Sequence, residues 1–323
     1  MAVIAARPAA AQLAWSNADN WIPAVVPGPV ATARVNNGGE ARITASLSVS
    51  RIEAGKNTGG GQITSTVAGV AITTDSDFDV GEIGGIFASG AVNASTYATA
   101  AISDAASIVI GAGGDGDLDV GPAAATAGAT AYAVGAVTIQ RVPSVDIASR
   151  VEVGKAGGAA TATADGTLTI EDVAALTIGF DFDVGQVGGT RNANGQGVAT
   201  IRRFAAVTVG ASADIGRAAV SADGLNQGRG DVTLVDTNWE IGFADPLDPG
   251  SLNIGGATTT LAEHAVGEGT VDVTGGSLDV ADRIRVGELA GGGTNGQNSS
   301  RGTLSLTGVD VAANHLDIAS VVA

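Results

Sequence analysis

The chain has 323 residues, of which 45% are hydrophobic but only 3% aromatic, and it carries 49 glycines, no cysteine and a net charge of −17. The lack of cysteine excludes disulfides, thiol nucleophiles and Cys-ligated metals. The acidic balance and the absence of any apolar stretch of roughly 18 residues argue against nucleic acid as a partner and against membrane insertion.

The first 38 residues differ in composition from the rest of the chain. Residues 1–12 are apolar and end in small residues, so they form either the remnant of a secretory signal or an ordinary terminal strand. Residues 13–38 contain Trp15 and Trp21 together with prolines, which is typical of a segment that blunts the open edge of a sheet. We predict that they cap, or form the entry coil of, a repeat domain over residues 39–323. A tryptophan pair that stacks on sugar rings is the functional alternative.

Residues 167–184, "TLTIEDVAALTIGFDFDV", hold three short runs with an apolar residue at every second position. A period of two indicates strands, since successive side chains point to opposite faces. The third run ends in an apolar residue followed by glycine, and this pair recurs along the chain. The recurring positions, which we call anchor glycines, are Gly55, Gly81, Gly121, Gly154, Gly185, Gly216, Gly255 and Gly287, with Ala319 as a final equivalent. Their spacings of 26, 40, 33, 31, 31, 39 and 32 residues give a period near 33.

This repeat predicts a coil. Three strands with sharp corners, repeated at a fixed period, are one turn of a β-solenoid, in which each strand pairs in parallel with its equivalent one turn away. We predict an all-β, right-handed parallel β-solenoid (β-helix) of about nine coils of three short strands each. A β-sandwich or barrel is the alternative, but it would need hairpin turns. Residues 86–100, 122–133 and 243–250 are predicted to be loops.

Acidic residues recur just before the anchor glycines. The positions two before the glycine, expected to face outward, are Glu53, Asp79, Asp119, Glu152, Asp183, Asp214, Asn253, Arg285 and Asp317. Like charges on neighbouring strands repel, so a cation should offset them. Where Asp77 and Asp79 stack on Asp117 and Asp119, no arginine intervenes, and these four carboxylates form a candidate Ca²⁺ site. A solvated acidic face is the alternative, and we expect no other cofactor.

The C-terminal unit shows no charged helix, proline-rich plug or aromatic lid. We expect its strands to offer unpaired backbone groups to a second copy of the chain. A head-to-tail contact that does not close would then produce an open filament. The residues expected at the joint are Val309, Val311, Leu316, Ile318, Val321 and Val322 on one side, and Ala2, Val3, Ile4, Trp15 and Trp21 on the other.

The opening "WSNADNW", the segment "VPGPVATARVNN" and units of the form "GTLTI", "LTIG" and "DVG" resemble secreted bacterial β-solenoid proteins of the autotransporter-passenger type. The resemblance covers almost the whole chain. It implies a surface-exposed adhesin, a structural protein or a matrix component, located outside the cell or on its surface.

Together these features favour a secreted, non-enzymatic structural protein, the subunit of an extracellular filament or surface layer formed by self-assembly. The first alternative is an adhesin, a rigid rod whose loops bind a carbohydrate or another cell. The second is a polysaccharide-active β-helix enzyme, for which candidate catalytic and sugar-binding residues are few and far apart in the sequence. They are Lys56, Lys155, His264 and His315, with Tyr97 and Tyr132 in predicted loops.

Overall fold

The computed structural model describes residues 2–6, 13–15, 21–22, 26–36, 38–57, 59–84, 94–126, 128–189, 192–220, 224–245, 249–259, 264–290, 298–318 and 321–322. Its regular elements are all strands, of which 27 form one large sheet and seven form a smaller one. Equivalent strands of successive turns pair in parallel, as Thr161–Glu171 does with both Thr130–Gln140 and Ala193–Arg202. The predicted all-β parallel β-solenoid with a period near 33 residues is therefore confirmed.

The large sheet consists of three columns of strands that follow one another within each turn. The first column comprises Leu13–Ala14, Gly39–Arg42, Gly59–Ser65, Ala94–Ser103, Thr130–Gln140, Thr161–Glu171, Ala193–Arg202 and Ser299–Thr307. The second comprises Leu47–Val49, Ala71–Thr74, Ser107–Ile110, Ser144–Ile147, Ala175–Ile178 and Ala206–Val209. The third comprises Ala2–Ala6, Ala31–Val35, Arg51–Ala54, Phe78–Val80, Leu118–Val120, Val151–Val153, Phe182–Val184, Ala213–Ile215 and Leu252–Ile254.

Towards the C-terminus the columns merge, because the strands continue through the corners. The long strands Leu225–Ile241, His264–Val286 and Asp310–Ile318 each run through two or more columns. One further short strand, Trp21–Ile22, pairs with the end of Ala2–Ala6 in the antiparallel direction. Parallel pairing thus begins with Ala2–Ala6 against Ala31–Val35, before the predicted start of the repeat domain at residue 39.

Each full turn has four strands rather than the predicted three. The fourth strand follows the anchor glycine and forms the smaller sheet. Its members are Ala123–Ala125, Ala156–Gly158, Val187–Gly189, Ala218–Val220, Ala257–Thr259, Leu289–Ala290 and Val321–Val322. Much of the predicted loop 122–133 is therefore strand, as are residues 94–100 of the predicted loop 86–100. Alanine and glycine carry too little apolar bulk for their alternation to stand out in the sequence.

The structure has about seven full turns, fewer than the nine predicted, since the smaller sheet contains seven strands. The difference lies at the N-terminal end. The turn between Gly55 and Gly81 spans only 26 residues. Before Ala123, the described residues contribute only an isolated bridge from Ile83 to the smaller sheet. These first turns carry an anchor glycine, which is why they were counted, but their described residues include no fourth strand.

Two hydrophobic cores run along the rod, and the anchor glycine marks the boundary between them. Val151 and Val153, just before Gly154, lie in a large core of Val, Ile, Leu and Phe, whereas Ala156, just after it, lies in a narrow core made mostly of alanine. The large core also contains an edge-to-face pair of Phe182 and Trp239, with ring centroids 6.2 Å apart.

A second column of glycines, absent from the sequence prediction, faces the anchor glycines across this boundary. Its members are Gly135, Gly166, Gly197, Gly230, Gly269 and Gly302. Gly154 has φ of +66°, and a Cβ added to Gly166 would overlap the backbone nitrogen of Gly154. The two strands therefore touch backbone to backbone, which only glycine permits at both positions.

Candidate metal centre and assembly surface

The acidic residues two positions before the anchor glycines, which we call the corner ladder, are buried or half-buried rather than outward-facing. Asp79 is 0% exposed, Glu53 3% and Asp183 5%. A reversal of the chain at the anchor glycine explains the difference. The glycine has a positive φ, and the residue directly after it lies over the acidic side chain three positions earlier. We call that residue the cover position.

Asp77 and Asp117, two of the four predicted calcium ligands, bind the backbone of the next turn instead. Asp77 Oδ1 accepts the amide of Asp117 at 3.1 Å, and Asp117 Oδ1 accepts the amide of Arg150 at 2.8 Å. Asp181 repeats the arrangement with the amide of Ser212 at 3.2 Å. This periodic contact gives the acidic residues four positions before the anchor glycines a structural role. It joins successive turns at a corner where the ladder hydrogen bonds end.

In several turns the cover position supplies a cation to the corner ladder. Lys56 Nζ lies 3.1 Å from Glu53 Oε1, and Arg217 lies 2.7 Å from Asp214 Oδ2. Lys155 makes the equivalent ion pair with Glu152. The members of this row are Lys56, Glu82, Pro122, Lys155, Gln186, Arg217, Gly256 and Glu288. Two consecutive turns therefore place Glu82 and Pro122 where their neighbours place a lysine.

Asp79, Glu82 and Asp119 form an acidic cluster, in which one carboxylate oxygen of each lies within 4.8 Å of the others. The sequence predicted Asp79 and Asp119 for this site but missed Glu82. A comparison of the residues directly after each anchor glycine would have found it. Among the described residues, the cations that pair with the cluster come from the preceding turn: Lys56 Nζ lies 2.7 Å from Glu82 Oε2, and Arg51 lies 2.7 Å from Asp79 Oδ2.

Burial and mutual repulsion disfavour ionisation in this cluster. The pKa of Asp79 is raised to about 7, first because the side chain is buried and second because Glu82 is close, while Lys56 and Arg51 oppose the rise. The pKa of Asp119 lies well above its usual value, again through burial first and the neighbouring carboxylates second. An ion-free cluster therefore holds protons near neutral pH.

At the exposed corner between the first and second columns, acidic and basic side chains neutralise one another. Asp104, Arg141, Asp172 and Arg203 alternate in sign along the rod, each with φ between +54° and +62°. Arg141 binds Asp104 through two hydrogen bonds, of 2.7 and 2.9 Å. This ladder was not predicted from the sequence. The acidic and basic side chains of this ladder neutralise one another, so it needs no external ion. The acidic cluster lies instead at the buried corner.

At the C-terminal end the inward-facing apolar residues reach the surface. Val311, Leu316 and Ile318 are 44%, 59% and 69% exposed, and Val309 is partly buried. Their partners one turn below lie in the large core, since Leu278 pairs with Val311, Ile284 with Leu316 and Val286 with Ile318. The backbone of Val321 and Val322 pairs with Leu289 and Ala290 in the smaller sheet.

The predicted N-terminal interface residues are divided between the surface and the core. Ala2, Val3 and Ile4 pair on one side with Ala31–Val35, and Val3 is 47% exposed. Trp15 is only 3% exposed and belongs to the large core, so its side chain is not available to an axial partner. Trp21 pairs through its backbone with Ala6, at the C-terminal end of the strand Ala2–Ala6.

Comparisons of the chain with protein families, with curated proteins and with solved structures gave no match. The part of the chain that the structure describes includes no helix long and apolar enough to cross a membrane. The fold therefore rests on the strand pairing of this chain itself, and its function has to be argued from its own surfaces and side-chain clusters.

Proposed function

We propose that this chain is a secreted, non-enzymatic structural protein, a β-solenoid rod that stacks head to tail with further copies into a filament or surface layer. The observation that carries the proposal is a third column with an open strand edge at both ends. Among the described strands, His315–Ile318 pairs only with residues 283–286, and Ala2–Ile4 only with residues 31–33. A second copy can therefore continue the column in parallel.

The register supports this joint. Successive pairings through the column place Ile4, Ala33 and Ile52 in one row, and the same row continues turn by turn to Leu316. Leu316 of one copy would therefore pair in register with Ile4 of the next, as Ile284 pairs with Leu316 within the chain. The short strand Trp21–Ile22 covers only Ala5 and Ala6, so it leaves this position open.

Burial of the exposed end provides the driving force for stacking. Fully burying one Val, Leu or Ile side chain contributes about 1.5–3 kcal/mol. Val311, Leu316 and Ile318 together would therefore supply several kcal/mol, to which backbone pairing along the open edge adds. This gain has to offset an association cost of about 4–15 kcal/mol, so stacking should be reversible and depend on the concentration of the chain.

Secretion is part of the proposal and is supported by the resemblance to autotransporter-passenger-type solenoids. The proposal includes neither nucleic-acid binding nor membrane insertion. The chain carries a net charge of −17, and these functions need a cationic or an extended apolar surface. The partner is a second copy of the chain.

An adhesin that binds carbohydrate is the second candidate, favoured by one observation. Tyr97 and Tyr132 lie on strands of adjacent turns, not in loops as predicted, and their side chains are 61% and 44% exposed. They flank an open groove of about 490 Å³ floored by Gly59 and Gly60. Flat, exposed rings of this kind offer an apolar face with a polar edge, which suits a sugar.

The stacking proposal predicts filaments about one solenoid wide when the full chain is viewed by negative-stain electron microscopy at micromolar concentration in EDTA. The double variant Val311→Asp/Ile318→Asp should give isolated rods. Two charges buried at the joint should weaken axial association at least about 100-fold, since each tenfold step needs only about 1.4 kcal/mol. Sedimentation velocity measures the same loss in solution.

Val198→Asp is the matched control, because Val198 is 42% exposed on the first column and far from either end. It introduces one such charge on the side of the rod, and its filaments should persist. Isolated rods of the wild-type chain at every concentration would overturn stacking and favour the adhesin. Filaments of the double variant as abundant as those of wild type would also overturn it.

A further inference from the structure

The cover position supplies no cation in the two consecutive turns of Asp79 and Asp119, and a cavity lies there. Pro122 occupies the cover position of the turn that contains Asp119, where Lys56 and Lys155 stand in other turns. A cavity of about 280 Å³ lies beside Pro122, and its lining includes Glu82, Asp119, Glu152 and Lys155. Proline has no charged group to extend into this space, so the site is both acidic and open.

Two carboxylate oxygens at this place are buried and without a donor. Asp79 is 0% exposed, and its Oδ1 accepts no hydrogen bond from any described residue, although Oδ2 is bound by Arg51 and Lys56. Oδ1 of Asp119 is likewise buried without a donor. Orphaned anionic oxygens are costly in a protein interior, so their presence in two adjacent turns points to a ligand that satisfies both.

We propose that Asp79, Glu82 and Asp119 bind one Ca²⁺ ion, which takes the place of the missing cation in the corner ladder. Their oxygens lie within 4.8 Å of one another. A point within about 2.8 Å of all three oxygens therefore exists, and small side-chain adjustments bring each oxygen to a Ca–O distance of ~2.4 Å. The adjoining cavity has room for the waters that complete a coordination number of about six to eight.

Calcium joins adjacent turns in this arrangement. Asp79 and Asp119 belong to successive third-column strands and stand opposite each other in register. Repulsion between them, which weakens the pairing of the two strands, becomes attraction to a shared ion. The ion thus acts as an internal clamp of the rod, and it does not depend on stacking between copies.

Calorimetric titration of the full chain with CaCl₂, after removal of metals with EDTA, tests the site directly. We expect one ion per chain and a higher melting temperature in 1 mM CaCl₂. Asp119→Asn should bind at least tenfold more weakly. In EDTA, however, it should melt above wild type, because asparagine removes a carboxyl group whose ionisation the buried, acidic surroundings disfavour. These opposite effects separate ligation from a merely structural role.

Two further variants sharpen the test. Pro122→Lys restores a cation at the cover position, so it should melt above wild type in EDTA and lose most of its response to calcium. Asp146→Asn removes an exposed carboxylate from the second column and should bind calcium as wild type does. Wild-type binding by Asp119→Asn, or no stoichiometric binding up to 10 mM CaCl₂, would overturn the proposal.

Discussion

Gly185→Ala is expected to lower the free energy of unfolding by more than about 4 kcal/mol, or to prevent folding altogether. Gly185 has φ of +66°, and an added Cβ would overlap the backbone carbonyl of Arg229. A positive φ alone costs an alanine about 1–2 kcal/mol. The overlap adds more, because Gly185 and Gly230 hold two strands in backbone contact and neither strand can retreat without opening both cores.

Gly188→Ala is the matched control, three residues along the same turn. Gly188 lies in Val187–Gly189, has no positive φ, and a Cβ there would meet nothing within 4 Å. Its effect should stay within about 0.5 kcal/mol. Guanidinium-induced unfolding followed by circular dichroism measures both variants. Equal stability of the two variants would contradict the backbone contact described for the anchor glycines.

Stability should fall as pH rises from about 4 to 8, and Asp183 should be a main cause. Burial raises the pKa of Asp183 to about 8, and Asp214, in register on the next turn, raises it further against the opposing effect of Lys155. An acid whose pKa is higher in the folded chain stabilises the fold fully below its unfolded pKa. That contribution disappears as pH rises through the folded pKa.

Asp183→Asn isolates this effect, since asparagine keeps the shape and cannot ionise. One unit of pKa shift corresponds to about 1.4 kcal/mol, so wild type should lose about 3 to 6 kcal/mol relative to the variant between pH 4 and pH 9. Denaturation at a series of pH values measures the difference. Asp146→Asn, an exposed change, should leave the pH profile as it is. Parallel profiles for wild type and Asp183→Asn would disprove the assignment.

The fold could be predicted because repetition amplifies a weak local signal. A single run such as Leu168 and Ile170 is ambiguous, but the same alternation before eight glycines leaves a parallel coil as the simplest arrangement. The open C-terminal end followed from the same pattern, since Val311, Leu316 and Ile318 occupy positions whose equivalents are buried in earlier turns.

The candidate metal centre was predicted only in part. Asp79 and Asp119 were found because they stack in the repeat, but Asp77 and Asp117 turned out to bind backbone amides. Glu82 was missed because its side chain reaches the ladder only once the chain reverses at Gly81. That reversal comes from the positive φ of Gly81, which the alternation of polar and apolar residues does not reveal.

The sequence by itself determined the period, the strand character of each run and the row that each residue occupies, because these follow from spacing along the chain. Which rows are buried was decided only by the tertiary structure. The contact between the two glycine columns divides the cross-section of the rod into two cores, and the fourth strand packs against the first-column strands, as Ala123–Ala125 does against Thr130–Gln140. An acidic row that local alternation places on the outside is enclosed where the chain reverses at the anchor glycine, since the residue after the glycine then lies over the acidic side chain.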